Sequence, residues 1–175
     1  MRQGILCIFS GPPLSGKSTF IGGLKKNINA LVIISTDEIR FELSKDYQFR
    51  PEMESLVWEL AYQRARTALK MGHIVAFDAT LINPEYRGRL LLQFPNTPIL
   101  YFAFIKPDYQ VIQERNEKRK WKQIETSALK KMYDDYKFPT TSEKTYYYRV
   151  FDVTNENFLD TIETGAQFIL NLYGS

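Results

Sequence analysis

Residues Gly11-Pro-Pro-Leu-Ser-Gly16-Lys17-Ser18 stand between a short apolar run, Gly4–Phe9, and a helix-forming stretch, Lys17–Ile28. This order constrains the fold more than any other feature of the chain. Glycines at both ends of the loop let the backbone curl around an anion where a Cβ would clash. The loop N–H groups and the positive end of the following helix then converge on one point. G-x-x-x-x-G-K-S after a strand and before a helix is therefore a phosphate-binding loop. Lys17 is placed to contact the β and γ phosphates of a nucleoside triphosphate, and the Ser18 hydroxyl to ligate Mg²⁺. Gly11, Ser15, Gly16 and Thr19 complete the candidate nucleotide-binding set.

The rest of the chain repeats the strand-then-helix alternation. Apolar runs at Leu31–Ile34, Ile74–Phe77 and Ile99–Ile105, with a weaker aromatic one at Tyr146–Val153, read as strands, the continuous ones buried on both faces. Helix patterns fall at Pro51–Met71, Pro84–Gln93, Asp108–Lys118, Thr126–Lys137 and Asn155–Tyr173. The order βαβααβαβααβα demands right-handed crossovers and a mostly parallel sheet covered on both faces. A length of 175 residues suits one domain, and no repeat, low-complexity tract or linker divides it, so residues 1–175 are expected to form a single α/β domain.

Composition excludes several classes of function. One cysteine, Cys7, cannot form an intramolecular disulfide, and in mid-strand it reads as a buried structural thiol. One histidine, His73, rules out a histidine-rich metal site, and its place between a helix end and a strand suits C-terminal capping. No run approaches the ~18 apolar residues of a membrane span, and the short N-terminal run does not resemble a signal peptide. A reducing, cytoplasmic setting without a membrane is expected. The formal net charge of +3 permits an anionic partner without demanding one. Guanine-nucleotide switches need N-K-x-D and D-x-x-G segments, and neither occurs. A phosphotransferase remains, which needs a base, an acceptor site and a cationic lid.

Asp37 is the candidate base. Ser-Thr-Asp37-Glu-Ile-Arg40 runs from the second strand into a helix, which sets Asp37 and Arg40 on one helical face at i, i+3. The carboxylate suits proton acceptance and the guanidinium suits an anionic group of the acceptor. Ser35-x-x-Glu38 is also a capping box, which explains acidic residues here without catalysis. Asp78 ends the third strand, where a carboxylate reaches a metal ion or its waters, although a strand-terminal cap accounts for it too. If helical, Arg115, Lys118, Arg119 and Lys122 form one cationic stripe whose mutual repulsion an anion would offset. A lid over the transferring phosphoryl group, a nucleic-acid backbone and a merely solvated face all fit that stripe. Trp121 packs the lid or stacks on a base, and Tyr146-Tyr147-Tyr148 reads first as edge strand and second as a stacking platform.

Taken together, the motifs resemble the polynucleotide 5′-hydroxyl kinases of the phage and bacterial end-healing type. The resemblance rests on Gly11–Ser18, on Ser35–Arg40 (S-T-D-x-x-R), on Asp78–Arg87 (D-A-T…N-P-E-x-R), and on Arg115–Arg119 (R-N-x-K-R) followed by Leu129–Tyr133. It implies an adenylate-kinase-like parallel sheet of about five strands, with a basic lid near residues 115–138. ATP with Mg²⁺ would donate its γ-phosphate to the 5′-OH of DNA or RNA. It further implies Lys17, Asp37 and Arg119 as catalytic, Arg115 and Arg119 on the donor phosphates, and Ser18 and Asp78 at the metal. Arg40, Thr80 and Arg87 would bind the acceptor. Leu81 departs from the family pattern, which often has Asn there, and Pro12-Pro13-Leu14 replaces a more glycine-rich loop interior. Phosphatase or ligase partners would be separate chains. The S-T-D-x-x-R arrangement also resembles small-molecule kinases, including zeta-toxin-like sugar-nucleotide kinases. These differ in having a closed polar acceptor pocket rather than a basic, aromatic-lined funnel.

Overall fold

The computed structural model describes residues 2–120 and 122–174. Trp121, which the sequence offered as a lid or stacking residue, lies outside the described residues. Five strands, β1 (Ile5–Ser10), β2 (Leu31–Ser35), β3 (Ile74–Asp78), β4 (Ile99–Phe104) and β5 (Arg149–Val153), form one sheet in the order β2-β3-β1-β4-β5. Every pairing is parallel. The helices are α1 (Lys17–Asn27), α2 (Thr36–Ser44), α3 (Pro51–Lys70), α4 (Pro84–Gln93), α5 (Tyr109–Glu117), α6 (Thr126–Asp135), α7 (Thr141–Lys144) and α8 (Phe158–Gly174).

Strand β1 is buried along its whole length because it lies at the centre of the sheet. Its side chains alternate between two cores. Leu6 and Ile8 join Val57, Ala61 and Ala65 of α3 and Leu90 of α4 on one face. Ile5, Cys7 and Phe9 join Phe20, Ile21 and Leu24 of α1 and Ile162, Ala166 and Ile169 of α8 on the other. Burial pushes the Cys7 thiol far above its ordinary value, in keeping with a structural role. Pro51 opens α3, and Gly72, at φ +79°, closes its end with its N–H on the Leu69 carbonyl while His73 donates to Ala68.

Three sequence expectations are corrected. Helix α5 stops at Glu117, so Arg115, Lys118, Arg119 and Lys122 do not share a helical stripe. The side chain of Asn116 both accepts from and donates to the backbone of Ile124, at 3.0 and 2.7 Å, closing the chain between them into a loop. Lys122 takes φ +61° within it. The last strand begins at Arg149, not Tyr146, because a short helix, α7, absorbs the chain before it. Tyr147 then packs on Tyr101 while Tyr146 and Tyr148 stay exposed. Helix α8 starts at Phe158, three residues later than expected, after a turn in which Asn157 and Thr154 cap each other.

Candidate functional site

Strands β2, β3 and β1 end at one sheet edge, and each delivers a functional residue there. In an open parallel sheet this carboxyl edge, where strand order reverses, is where ligands bind. The loop after β1 carries Leu14 at φ +64° and Gly16 at φ +100° before α1 begins at Lys17. A Cβ on Gly11 would lie 2.6 Å from Ser15 Oγ and 2.8 Å from Phe104 Cβ, so only glycine permits this curl. The Lys17 ammonium folds over the loop and donates to the carbonyls of Gly11 and Pro12 at 2.9 and 2.8 Å and to Ser15 Oγ at 3.4 Å. Burial lowers its pKa to about 8; Asp78 and Asp37 pull upward and Arg119 downward. Lys17, Asp78, Asp37 and Arg119 therefore share one electrostatic environment.

Ser18 and Thr19 are exposed at the mouth of the loop. The Ser18 hydroxyl donates to Asp78 Oδ2 at 3.2 Å. Burial raises the Asp78 pKa; Lys17 opposes this, Asp37 reinforces it, and the Ser18 hydrogen bond opposes it. Among the described residues no group of three or more histidine, cysteine or acidic side chains could hold a metal ion unaided. One carboxylate and one hydroxyl do suit Mg²⁺, which is usually held by one or two carboxylates together with water and substrate phosphates.

Asp37 sits in the first turn of α2, whose N-cap Ser35 accepts from the Glu38 N–H at 3.4 Å, one half of a capping box, while the Glu38 carboxylate accepts from Tyr47 and Lys122. Its carboxylate is half exposed and accepts from Arg40 Nη1 at 2.7 Å. Arg40 in turn forks onto Glu54 of α3 through Nε and Nη2 at 2.7 and 2.8 Å. Glu54 had no signal in the sequence, since a carboxylate at the start of a helix is ordinary there. From the opposite side, Lys122 lies 3.2 Å from Glu38 and 3.9 Å from Asp37. It also stands 3.7 Å above the Tyr47 ring. The loop after α5 is thus tied down onto α2.

The two arginines of that segment behave differently. Arg115 Nη1 donates to the carbonyl of Leu14 at 2.8 Å, which joins α5 to the phosphate-binding loop. Arg119 is half-buried, and burial lowers its pKa while Asp37 acts the other way. Helix α6 returns to the sheet edge, where the Tyr136 hydroxyl donates to the Phe104 carbonyl at 2.7 Å.

Ser15, Gly16, Lys17, Ser18, Thr19, Asp37, Arg40, Asp78, Thr80, Arg115 and Arg119 line one open cleft of about 2560 Å³. Gly11 shapes its floor through the Lys17 contact. Arg87, expected at the acceptor, is not in the cleft and is corrected here. It is fully buried, its fork sits on Glu143 at 2.5 and 2.9 Å, and it donates to the Leu81 carbonyl at 3.1 Å. All three contacts are structural: the two to Glu143 pin α4 to α7, and the third holds the segment between β3 and α4.

A central phosphate-binding loop, an acidic strand end beside it and a parallel five-stranded sheet define a nucleotide-binding P-loop kinase-like domain. A family model described as an AAA domain matches residues 6–139, more than half of the chain, and the chain belongs to that family. A comparison with curated proteins finds no match. Among solved structures, Kti12 of Chaetomium thermophilum in complex with ADP-AlF3 is similar with a TM-score of 0.74 at 16% identity, over 96% of this chain and 98% of that one. The Pnkp1/Rnl/Hen1 RNA repair complex matches with a TM-score of 0.67 at 22% identity, over 77% of this chain and 44% of that one. A gluconokinase from Sinorhizobium meliloti 1021 matches with a TM-score of 0.64 at 14% identity, over 97% and 95%. At these identities the likeness is one of fold. No described helix is long and apolar enough to cross a membrane.

Proposed function

We propose that this chain transfers the γ-phosphate of ATP to the 5′-hydroxyl of a polynucleotide, with Asp37 as the general base. The observation that carries the reading is the shape of the cleft beyond Asp37. It stays open and runs past Phe41, Tyr47, Phe49 and Trp58, where a metabolite kinase needs a closed polar pocket. The solved Pnkp1 neighbour, part of an RNA repair complex, supports the same direction.

In this mechanism the loop amides and the Lys17 ammonium hold the β and γ phosphates, and binding draws Lys17 away from its own loop carbonyls. Ser18 and Asp78 would hold Mg²⁺, which supplies charge neutralisation on the phosphates when bound. The Asp37 carboxylate accepts the proton of the acceptor hydroxyl as the new P–O bond forms and the bond to the ADP leaving group breaks. Arg40 holds Asp37 in place and, beyond its bonds to Glu54, Asp37 and Thr36, has one Nη2 N–H left for a phosphate of the acceptor. Arg119 stabilises charge on the transferring group, and Arg115 ties the segment that carries it to the loop. Thr80, at the cleft wall after β3, contacts the acceptor end. A separate phosphatase or ligase would complete end repair.

The test is transfer from γ-labelled ATP with Mg²⁺ to 5′-OH DNA, 5′-OH RNA and a panel of sugars and polyols in parallel. Label on an oligonucleotide is expected. Label only on a small molecule would replace this reading with that of a metabolite kinase.

A further inference from the structure

The two edges of the sheet are built differently. In the order β2-β3-β1-β4-β5, strands β2 and β5 have one neighbour each. An edge strand offers a row of unpaired N–H and C=O groups to any other strand, and natural edges are blunted with charge, proline or a bulge. Strand β5 follows that rule: Arg149 and Asp152 are charged and exposed, and Lys144 reaches from α7 to Asp152 at 2.7 Å. Strand β2, Leu-Val-Ile-Ile-Ser, has no charge, proline or glycine, and Ile33 at its middle is 43% exposed. Lys25 donates to the Leu31 carbonyl at 2.7 Å, which closes only the start of this edge.

An apolar groove of about 470 Å³ runs beside the same edge, away from the nucleotide cleft. Val32 and Ile34 line it from β2, and Ala68, Met71 and His73 from α3 and the turn after it. Met71 is 70% exposed there. Alternation puts Ile33 on the opposite face of the strand, so a strand laid against β2 would cover both the groove and Ile33. Charge distinguishes the two ends of β2. Helices α1 and α3 finish beside its start, with exposed Lys25, Lys26 and Lys70 in their last turns. Helix α2 leaves its finish with exposed Asp37, Glu38 and Glu42 against one arginine, Arg40.

We propose that β2 pairs antiparallel with β2 of a second copy of this chain, joining two five-stranded sheets into one. Pairing centred on Ile33 sets the two Ile33 side chains opposite each other and Val32 of each copy opposite Ile34 of the other. No like charges then face each other across the strands, and apolar pairs do. The two-fold axis stands perpendicular to the sheet, so both grooves lie on one face and their β2 side chains meet in one apolar strip. The antiparallel sense also lays the basic start of each strand beside the acidic finish of its partner, whereas a parallel sense would bring like ends together. Because the carboxyl edges of the two sheets point in opposite directions, the two clefts open at opposite ends and neither copy completes the other's site. The inference therefore stands independently of which acceptor the cleft takes.

Light scattering after gel filtration tests the assembly, and a single cysteine tests its register. The wild type is expected at twice the chain mass. Ile33→Lys, which sets two ammonium groups against each other on the axis, is expected at the chain mass with wild-type circular dichroism and ATP affinity. Residues directly opposite in an antiparallel pair have Cα atoms about 4.5–5.5 Å apart, within the roughly 4.4–6.8 Å that a disulfide spans. The chain's one native cysteine, Cys7, is buried and does not compete. Mild oxidation should therefore convert Ile33→Cys to a covalent dimer that a thiol reductant reverses, while Leu170→Cys, exposed on α8, stays unlinked. A wild type at the chain mass through the millimolar range would overturn the proposal. So would a dimer that persists in Ile33→Lys, or one in which Ile33→Cys links no faster than Leu170→Cys.

Discussion

Replacing Arg87 by Met separates the structural role seen here from the acceptor role that the resemblance implies. The guanidinium is fully buried and Glu143, its bidentate partner, is 12% exposed at the side chain. Methionine keeps most of the aliphatic volume but leaves that carboxylate without its cation and the Leu81 carbonyl without its donor. Breaking one side of a buried ion pair costs about 3–5 kcal/mol. Against a total stability of about 5–15 kcal/mol, that is a large fraction. At about 2–4 °C per kcal/mol for a chain of this size, the melting temperature should fall by about 6–20 °C. The double variant Arg87→Met/Glu143→Leu replaces the pair with apolar side chains and should recover most of the loss. Urea unfolding followed by circular dichroism gives the stability, and KM values for ATP and strand, measured where each variant is folded, give the function. A variant as stable as the wild type with a selectively raised KM for the strand would refute the argument and return Arg87 to the acceptor site.

Further outcomes follow from the loop and its cations. Gly11→Ala should abolish nucleotide binding in calorimetry while the protein still folds, because its Cβ has no room beside Ser15 Oγ and Phe104 Cβ. Lys17 has a folded-state pKa lowered from 10.5 to about 8, so ATP affinity should weaken progressively above pH 8 as the ammonium must first be reprotonated. The stability consequence has the opposite sign from that of a paired lysine. The unfolded chain binds the extra proton between pH 8 and 10.5, so stability of the ATP-free protein rises over that window, and below it the buried charge costs about 3 kcal/mol. Lys17→Met should lose ATP binding, and the rise in stability of the ATP-free wild type between pH 8 and 10.5 should be absent from its thermal melts; the same rise in Lys17→Met would contradict the burial argument. Arg119→Ala should lower kcat by about 10²–10³ with little change in the KM for the strand, the pattern for charge stabilisation realised in the transition state.

The strands and the loop were legible because each is a local signal. A continuous apolar run bounded by a turn reads as a parallel strand, and β1 to β4 were located with end shifts of one residue; the burial on both faces expected of Leu31–Ile34 fails, because β2 is an edge strand and leaves Ile33 exposed, and the weaker run of β5 was placed less closely. The helix start at Thr36 was legible from the Ser35 cap, and the confluence of Ser18, Asp37 and Asp78 from the strand ends that carry them. What escaped depends on partners distant in the chain. Arg87 lies 56 residues from Glu143, and nothing local distinguishes an arginine destined for the core from one facing a ligand. The cationic stripe failed because Asn116 pairs with the backbone of Ile124 and ends the helix, a contact that propensity does not encode. Glu54 escaped for the same reason: its link to Arg40 spans the gap between α2 and α3.

Asp37 stands at the centre of this account, and one comparison tests it most directly. Wild type and Asp37→Asn are given labelled ATP with Mg²⁺ and the same oligonucleotide in its 5′-OH and 5′-phosphorylated forms, under single turnover, with ATP affinity measured separately. The wild type is expected to label only the 5′-OH form, and Asp37→Asn to bind ATP normally yet transfer at least about 10²-fold more slowly. Equal rates for the two proteins, or label entering the 5′-phosphorylated strand as readily as the 5′-OH strand, would contradict the assignment of Asp37 as the base of a 5′-hydroxyl kinase.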